Sequence, residues 1–133
     1  MDKSQAPNSN FQTNPNYSNS KIFDLEDRTK KFAIDCRDFV SQVPRTISNI
    51  EYLKQLIRSS GSQAANYIEA NESLSKKDFI MRTKICRKEA KESKLWLELI
   101  ITNRPNQEKT RMALIKEALE LVKIFSSIIA KSV

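Results

Sequence analysis

Residues 55–70 read QLIRSSGSQAANYIEA, and the periodicity of this stretch decides the fold. At about 100° per residue, Ile57, Ser60, Gly61, Ala64 and Ile68 share one side of a helix, and Ile50 and Leu53 extend that stripe toward the N-terminus. Gln55, Arg58, Ser62, Asn66 and Glu69 fall on the opposite side. The first face is apolar and small-sided, so it predicts the core-facing side. Gly61 is the only glycine of the chain. Inside a helix it costs about 1 kcal/mol relative to alanine. Two readings account for it: close approach of a neighbouring helix, or a hinge. The opposite stripe is polar without being the Lys/Glu mixture of an ordinary solvated face.

The same helical period runs outward in both directions. Leu25, Thr29, Phe32, Cys36, Phe39 and Val43 alternate in steps of four and three, the seam of a bundle helix. Asp24, Glu26 and Asp27 crowd the predicted first turn, where carboxylates favour the helix dipole. Pro44 ends this helix and suits the first turn of the next, which is expected over about residues 44–71. Ser75 and Asp78 then read as a capping box. It opens a third helix over about 76–103, with Phe79, Thr83, Cys86, Ala90, Ser93, Leu97 and Ile100 on one stripe. After the break at 104–106, with Asn106 as the expected cap, a fourth helix is predicted over about 107–130. Its apolar arc holds Leu114, Ile115, Ala118, Leu121, Val122, Phe125, Ile128 and Ile129, widened by Leu119 and Ile124. Four helices joined by short loops predict an all-α, antiparallel up-down-up-down four-helix bundle over residues 21–133. Residues 1–20 are rich in Asn, Ser, Gln and Pro and carry no apolar period, so they read as a disordered tail.

The totals agree with one helical domain. Among 133 residues there are one glycine, four prolines and 29% charged residues. No apolar run of about 18 residues is present, so no membrane partner is expected. The polar N-terminus lacks the apolar segment of a signal peptide, which points to the cytoplasm. Cys36 and Cys86 sit on the apolar faces of separate helices in no metal-binding spacing, and read as small buried hydrophobes.

Catalytic chemistry finds little support. The chain has no histidine, which removes the commonest general base and metal ligand and the usual activators of Ser or Cys nucleophiles. Glu89/Glu92 and Glu117/Glu120 are carboxylate pairs at helical spacing that read as surface ion-pair residues. One glycine cannot build a phosphate-binding loop. Neither an enzyme nor a cofactor nor a metal is expected.

Surface contact remains. The net charge of +7 is concentrated late in the chain: residues 21–43 balance at five of each sign, whereas 72–103 carry eight basic against five acidic residues and 104–133 six against three. On the third helix Lys77, Lys84, Arg87, Lys88, Lys91 and Lys94 lie away from the apolar stripe. They read either as a solvated face or as a row contacting phosphates, which would make binding steeply salt-dependent. Near the C-terminal end of that helix Leu95, Trp96 and Leu99 fall off the main stripe. They either pack under a loop or against the fourth helix, or form an oligomer interface, because one helix face cannot hold both apolar sets.

Two blocks of sequence carry a family resemblance. QLIRSS at 55–60, followed by Ser62, Asn66 and Glu69, resembles the central signature of the bacterial four-helix-bundle proteins encoded within 23S rRNA intervening sequences. KKDFI at 76–80 and KEAKESKLWLEL at 88–99 resemble that family's other signature, in the same order and spacing. The resemblance covers about residues 21–131. It implies an antiparallel four-helix bundle assembling into a ring-like homopentamer. It also implies kinship with the accessory variability determinant of diversity-generating retroelements, which binds a reverse transcriptase and nucleic acid. Arg58, Ser62, Asn66, Glu69, Glu89, Glu92 and Trp96 match as a shared surface, with Leu95 and Leu99 beside them. Gly61 departs from the Thr or Ala more usual there. The sequence thus carries two functional readings: a non-enzymatic, oligomeric RNA- or DNA-binding protein, or an assembly or adaptor module that meets other proteins.

Overall fold

The computed structural model describes residues 17–133, with side chains from Leu25 onward; residues 1–16, most of the expected tail, lie outside the described residues. Four helices follow one another: α1 (Tyr17–Val40), α2 (Ile47–Asn71), α3 (Lys76–Leu99) and α4 (Pro105–Ser132). No strand occurs among the described residues. Each helix packs against its neighbours in the chain, α2 and α3 most extensively, and α1 also meets α4. Leu25, Phe32, Cys36 and Phe39 of α1, Leu53, Leu56 and Tyr67 of α2, Cys86 and Leu97 of α3, and Leu121 and Phe125 of α4 share one core. Full burial of each large apolar side chain contributes roughly 1.5–3 kcal/mol.

The helix ends depart from the expected ones by a few residues, for local reasons. α2 does not take Pro44 into its first turn. Thr46 caps it, its hydroxyl accepting from the Asn49 amide at 3.2 Å, and a hydroxyl in that position satisfies an amide that proline would leave open. Ser75 caps α3 as expected, accepting from the Asp78 amide at 3.0 Å. α3 ends at Leu99 rather than near 103, because Asn49 Oδ1 takes the Ile101 amide at 2.9 Å in place of a helical carbonyl. α4 begins with Pro105 in its first turn, so Asn106 lies inside the helix and Arg104 occupies the cap position without a capping side-chain bond.

The buried face of α2 is a correction of substance. Its core-facing residues are Leu53, Leu56, Ser59, Ser60, Gln63, Tyr67 and Ala70. Ile57 and Ile68 are 48% and 52% exposed, and a Cβ added at Gly61 would meet nothing within 4 Å. Leu53 and Ser60 of the expected stripe are buried, but the helix is turned so that Ile57, Gly61 and Ile68 leave the core, and no neighbouring helix closes on Gly61. The physical reason is a polar layer inside the bundle. Gln63 Nε2 donates to the Thr29 carbonyl at 2.8 Å and to the Ser60 carbonyl at 3.0 Å, and the hydroxyls of Ser59 and Ser93 share a bond of 2.7 Å. A buried polar group bonded in this way is tolerated, and it escapes a reading based on hydropathy alone. Cys36 and Cys86 are free and buried, and burial pushes both thiols up to about 12.

Two buried carboxamides tie the interhelical connections together at one end. Asn49 Nδ2 donates to the Pro44 carbonyl at 2.9 Å and to the Ile101 carbonyl at 2.8 Å, while its oxygen holds the Ile101 amide. Gln107 repeats the device, donating to the Gln42 carbonyl at 2.7 Å and accepting from the Asn103 amide at 3.1 Å. Beside them Arg111 clamps Glu108 through two bonds of 2.8 and 2.7 Å, and Thr102 donates to the same carboxylate at 2.8 Å. Arg111 first, and Thr102 second, lower the Glu108 carboxyl from 4.5 to about 2. A carboxyl lowered in the folded state contributes stability above its ordinary pKa and loses it as pH falls through the folded value. Glu108→Gln is therefore expected to melt below the wild type at neutral pH. Thermal melts should show that gap closing between pH 4.5 and about 2.

Candidate nucleic-acid interface on α3

α3 presents two different flanks, and the residues singled out in the sequence divide between them. On the flank toward α2 lies a seam of crossed ion pairs. Arg58 of α2 reaches Glu89 Oε1 at 3.4 Å and Glu92 Oε1 at 3.3 Å on α3. Further along, the direction reverses: Arg82 of α3 meets Glu69 Oε1 at 3.0 Å and Asn66 Oδ1 at 3.4 Å on α2. Asn66 is itself held by Ser62, donating to its carbonyl at 3.0 Å and its hydroxyl at 3.2 Å. Arg58, Ser62, Asn66, Glu69, Glu89 and Glu92 thus come together, as a latch between two helices.

Glu89 is not the surface residue it was expected to be. Its side chain is 6% exposed, with Arg58 and, at 3.7 Å, Lys88 as its ion partners. Glu92 remains at the edge, and Glu117 and Glu120 form the anticipated ion pairs, with Arg28 at 2.7 Å and Lys123 at 3.9 Å. Arg82 is the member of the seam that the sequence reading missed. Its spacing of seven from Glu89, two helical turns along the same flank, was the available signal.

Trp96 closes this seam at the other end. Its ring stacks on Tyr52 of α2, centroids 6.1 Å apart and planes at 24°, and it packs against the core. The indole nitrogen is buried without a hydrogen-bond partner. Trp96 is thereby separated from Leu95 and Leu99, which are 45% and 39% exposed.

The outer flank carries the basic residues, and the structure sorts them. Lys77, Lys84, Lys88 and Lys91 are exposed on one side of α3. Arg87 turns toward α4 and donates to the Ser126 hydroxyl at 3.4 Å, and Lys94 is engaged by Glu98 at 2.8 Å. Lys77, Lys84 and Lys91 have no charged partner among the described residues. They recur every seven residues, which places their stems roughly 10 Å apart in a nearly straight row. Such a row is a set of mobile point charges, able to follow a phosphate backbone and unable by itself to read a base sequence. Among the described residues no cluster of three or more His, Cys, Asp or Glu stands in a position to hold a metal ion. Among the described residues no helix is long and apolar enough to cross a membrane.

Comparison with known proteins places this geometry in context. The search of curated proteins returns no match. One similar solved structure is a protein of unknown function from the S23 ribosomal protein family of Bacteroides thetaiotaomicron VPI-5482. It is 29% identical, with 79% of this chain and 97% of that chain covered and a TM-score of 0.68. A family model described as 23S rRNA-intervening sequence protein matches residues 23–127, which includes the α2–α3 seam and the lysine row. The chain belongs to the 23S rRNA-intervening sequence protein family.

Proposed function

We propose that the protein is a non-enzymatic, oligomeric nucleic-acid-binding protein whose contact surface is the outer flank of α3. The observation that carries this reading is the row Lys77, Lys84 and Lys91, exposed and without charged partners among the described residues. A solvated face on an ordinary helix usually pairs its lysines with glutamates three or four residues away. Here no Asp or Glu stands three or four residues from any of the three, and the glutamates nearest Lys91, Glu89 and Glu92, are engaged by Arg58. The scaffold is read as an up-down-up-down bundle. Asn49 next to Ile101 at one end, and Asn71 next to Glu26 at the other, support that topology. Titrating labelled single-stranded RNA at several salt concentrations tests the reading. Three phosphate contacts give a log–log salt slope of about −2. Absence of binding at low salt, or binding that salt leaves unchanged, contradicts it.

Oligomerisation is part of the proposal, and the exposed apolar side chains Leu95, Leu99, Ile57 and Ile68 support it. The ring-like homopentamer, and a reverse transcriptase as further partner, are what the family resemblance adds. Leu95→Glu combined with Leu99→Glu is expected to shift mass from oligomer to monomer without loss of helicity. Sedimentation velocity checks this, and a wild-type monomer at micromolar concentration contradicts it. These same apolar residues also suit the second reading, an adaptor that meets other proteins. A partner retained through nuclease treatment and high salt, with RNA binding absent, would favour the adaptor.

A further inference from the structure

The strip of α3 that turns away from the core reads Lys77, Met81, Lys84, Lys88, Lys91 and Leu95, all exposed. Steps of four and three keep these side chains on one outward line. The unpartnered ammonium groups of Lys77, Lys84 and Lys91 therefore stand along the ridge of an exposed helix.

Single strands are ordinarily held in another way: a basic channel follows the backbone, and aromatic rings stack on the splayed bases. The rings of this chain face inward. Trp96, the one tryptophan, lies on Tyr52, and both pack against the core, as Phe79 does. Phe32, Phe39, Tyr67 and Phe125 are buried, and no aromatic side chain is exposed among the described residues. Arginine planes, the alternative platform for a base, are engaged as well around the row. Arg82 is held by Glu69 and Asn66, Arg87 by Ser126, and Arg58 by Glu89 and Glu92.

A rigid backbone suits the row better. Its pitch of roughly 10 Å lies between the groove widths of B-form DNA, roughly 6 and 12 Å, so successive lysines can rest on opposite banks of one groove. A duplex also carries one charge per about 1.7 Å of axis, twice the density of either strand, and releases more counterions per contact.

We propose that the lysine row of α3 grips a double-stranded nucleic acid in preference to a single strand, through phosphates on both sides of a groove. This rests on the nucleic-acid reading above and adds the class of ligand.

Anisotropy competition on the full chain tests it. The competitors are an RNA duplex and a DNA duplex of about 12 base pairs, and oligouridylate and oligoadenylate of about 24 nucleotides, matched in phosphate number. Both duplexes should bind about fivefold or more tighter than oligouridylate, with a salt slope of about −2.7 against about −2.1. The difference between the two duplexes tells RNA from DNA as the source. Oligoadenylate, whose larger bases stack better, should match oligouridylate within about twofold, and Trp96 emission should stay unchanged at saturation. Oligouridylate binding as tightly as the duplexes, a several-fold gain for oligoadenylate, or saturable quenching of Trp96 overturns the duplex assignment and leaves the row a single-strand contact. Binding by none of the four overturns the nucleic-acid reading itself.

Discussion

Replacing Lys84 and Lys91 together by glutamate is expected to lower affinity for single-stranded RNA by about ten- to a hundredfold at low salt. Each lost phosphate contact removes its released counterion, so the salt slope should flatten by about 1.4. The variant is expected to melt like the wild type, since both side chains are exposed and without charged partners among the described residues. Anisotropy titration checks the affinity. A companion variant, Lys116→Glu with Lys123→Glu on α4, carries the same change in net charge. It should cost much less if the contact is local to α3. Equal losses in the two variants would mean that binding follows net charge and not this row.

Asn49→Ala is expected to destabilise the fold by about 2–4 kcal/mol, which lowers the melting temperature by roughly 8–15 °C. The side chain is fully buried and makes three bonds to backbone groups, one to Pro44 before α2 and two to Ile101 after α3, joining two connections far apart in sequence. Truncation leaves the Ile101 amide and the carbonyls of Pro44 and Ile101 without these partners. Gln107→Ala loses two such bonds and should cost less. A chemical-denaturation series checks the order, and an Asn49→Ala variant as stable as the wild type would show that the connections do not depend on this staple.

The apolar seams of three helices were legible in the sequence. Phe32, Cys36 and Phe39 on α1, Thr83, Cys86, Ala90 and Leu97 on α3, and Leu114, Ala118, Leu121 and Phe125 on α4 are buried where their spacing put them. α2 was misread because its buried side includes Asn49, Ser59, Gln63 and Asn71, which hydropathy assigns to water. Their partners lie largely on other helices or in loops, so neither their burial nor their bonds can be read from local spacing. The same limit applies to the candidate interface. The lysines announced themselves by composition, but which of them stay unpaired depends on where Arg58, Glu98 and Ser126 come to rest. Spacing alone makes Glu89 a surface ion-pair residue and sets Trp96 off the main apolar stripe; α2, through Arg58 and Tyr52, covers both.

Lysine footprinting by acetylation, with and without RNA and read by mass spectrometry, tests the α3 surface most directly. The account predicts that RNA protects Lys77, Lys84 and Lys91, while Lys109 and Lys116 of α4 react as in the free protein. Protection confined to α4, or unchanged acetylation of the α3 row at RNA concentrations that saturate binding, would contradict it.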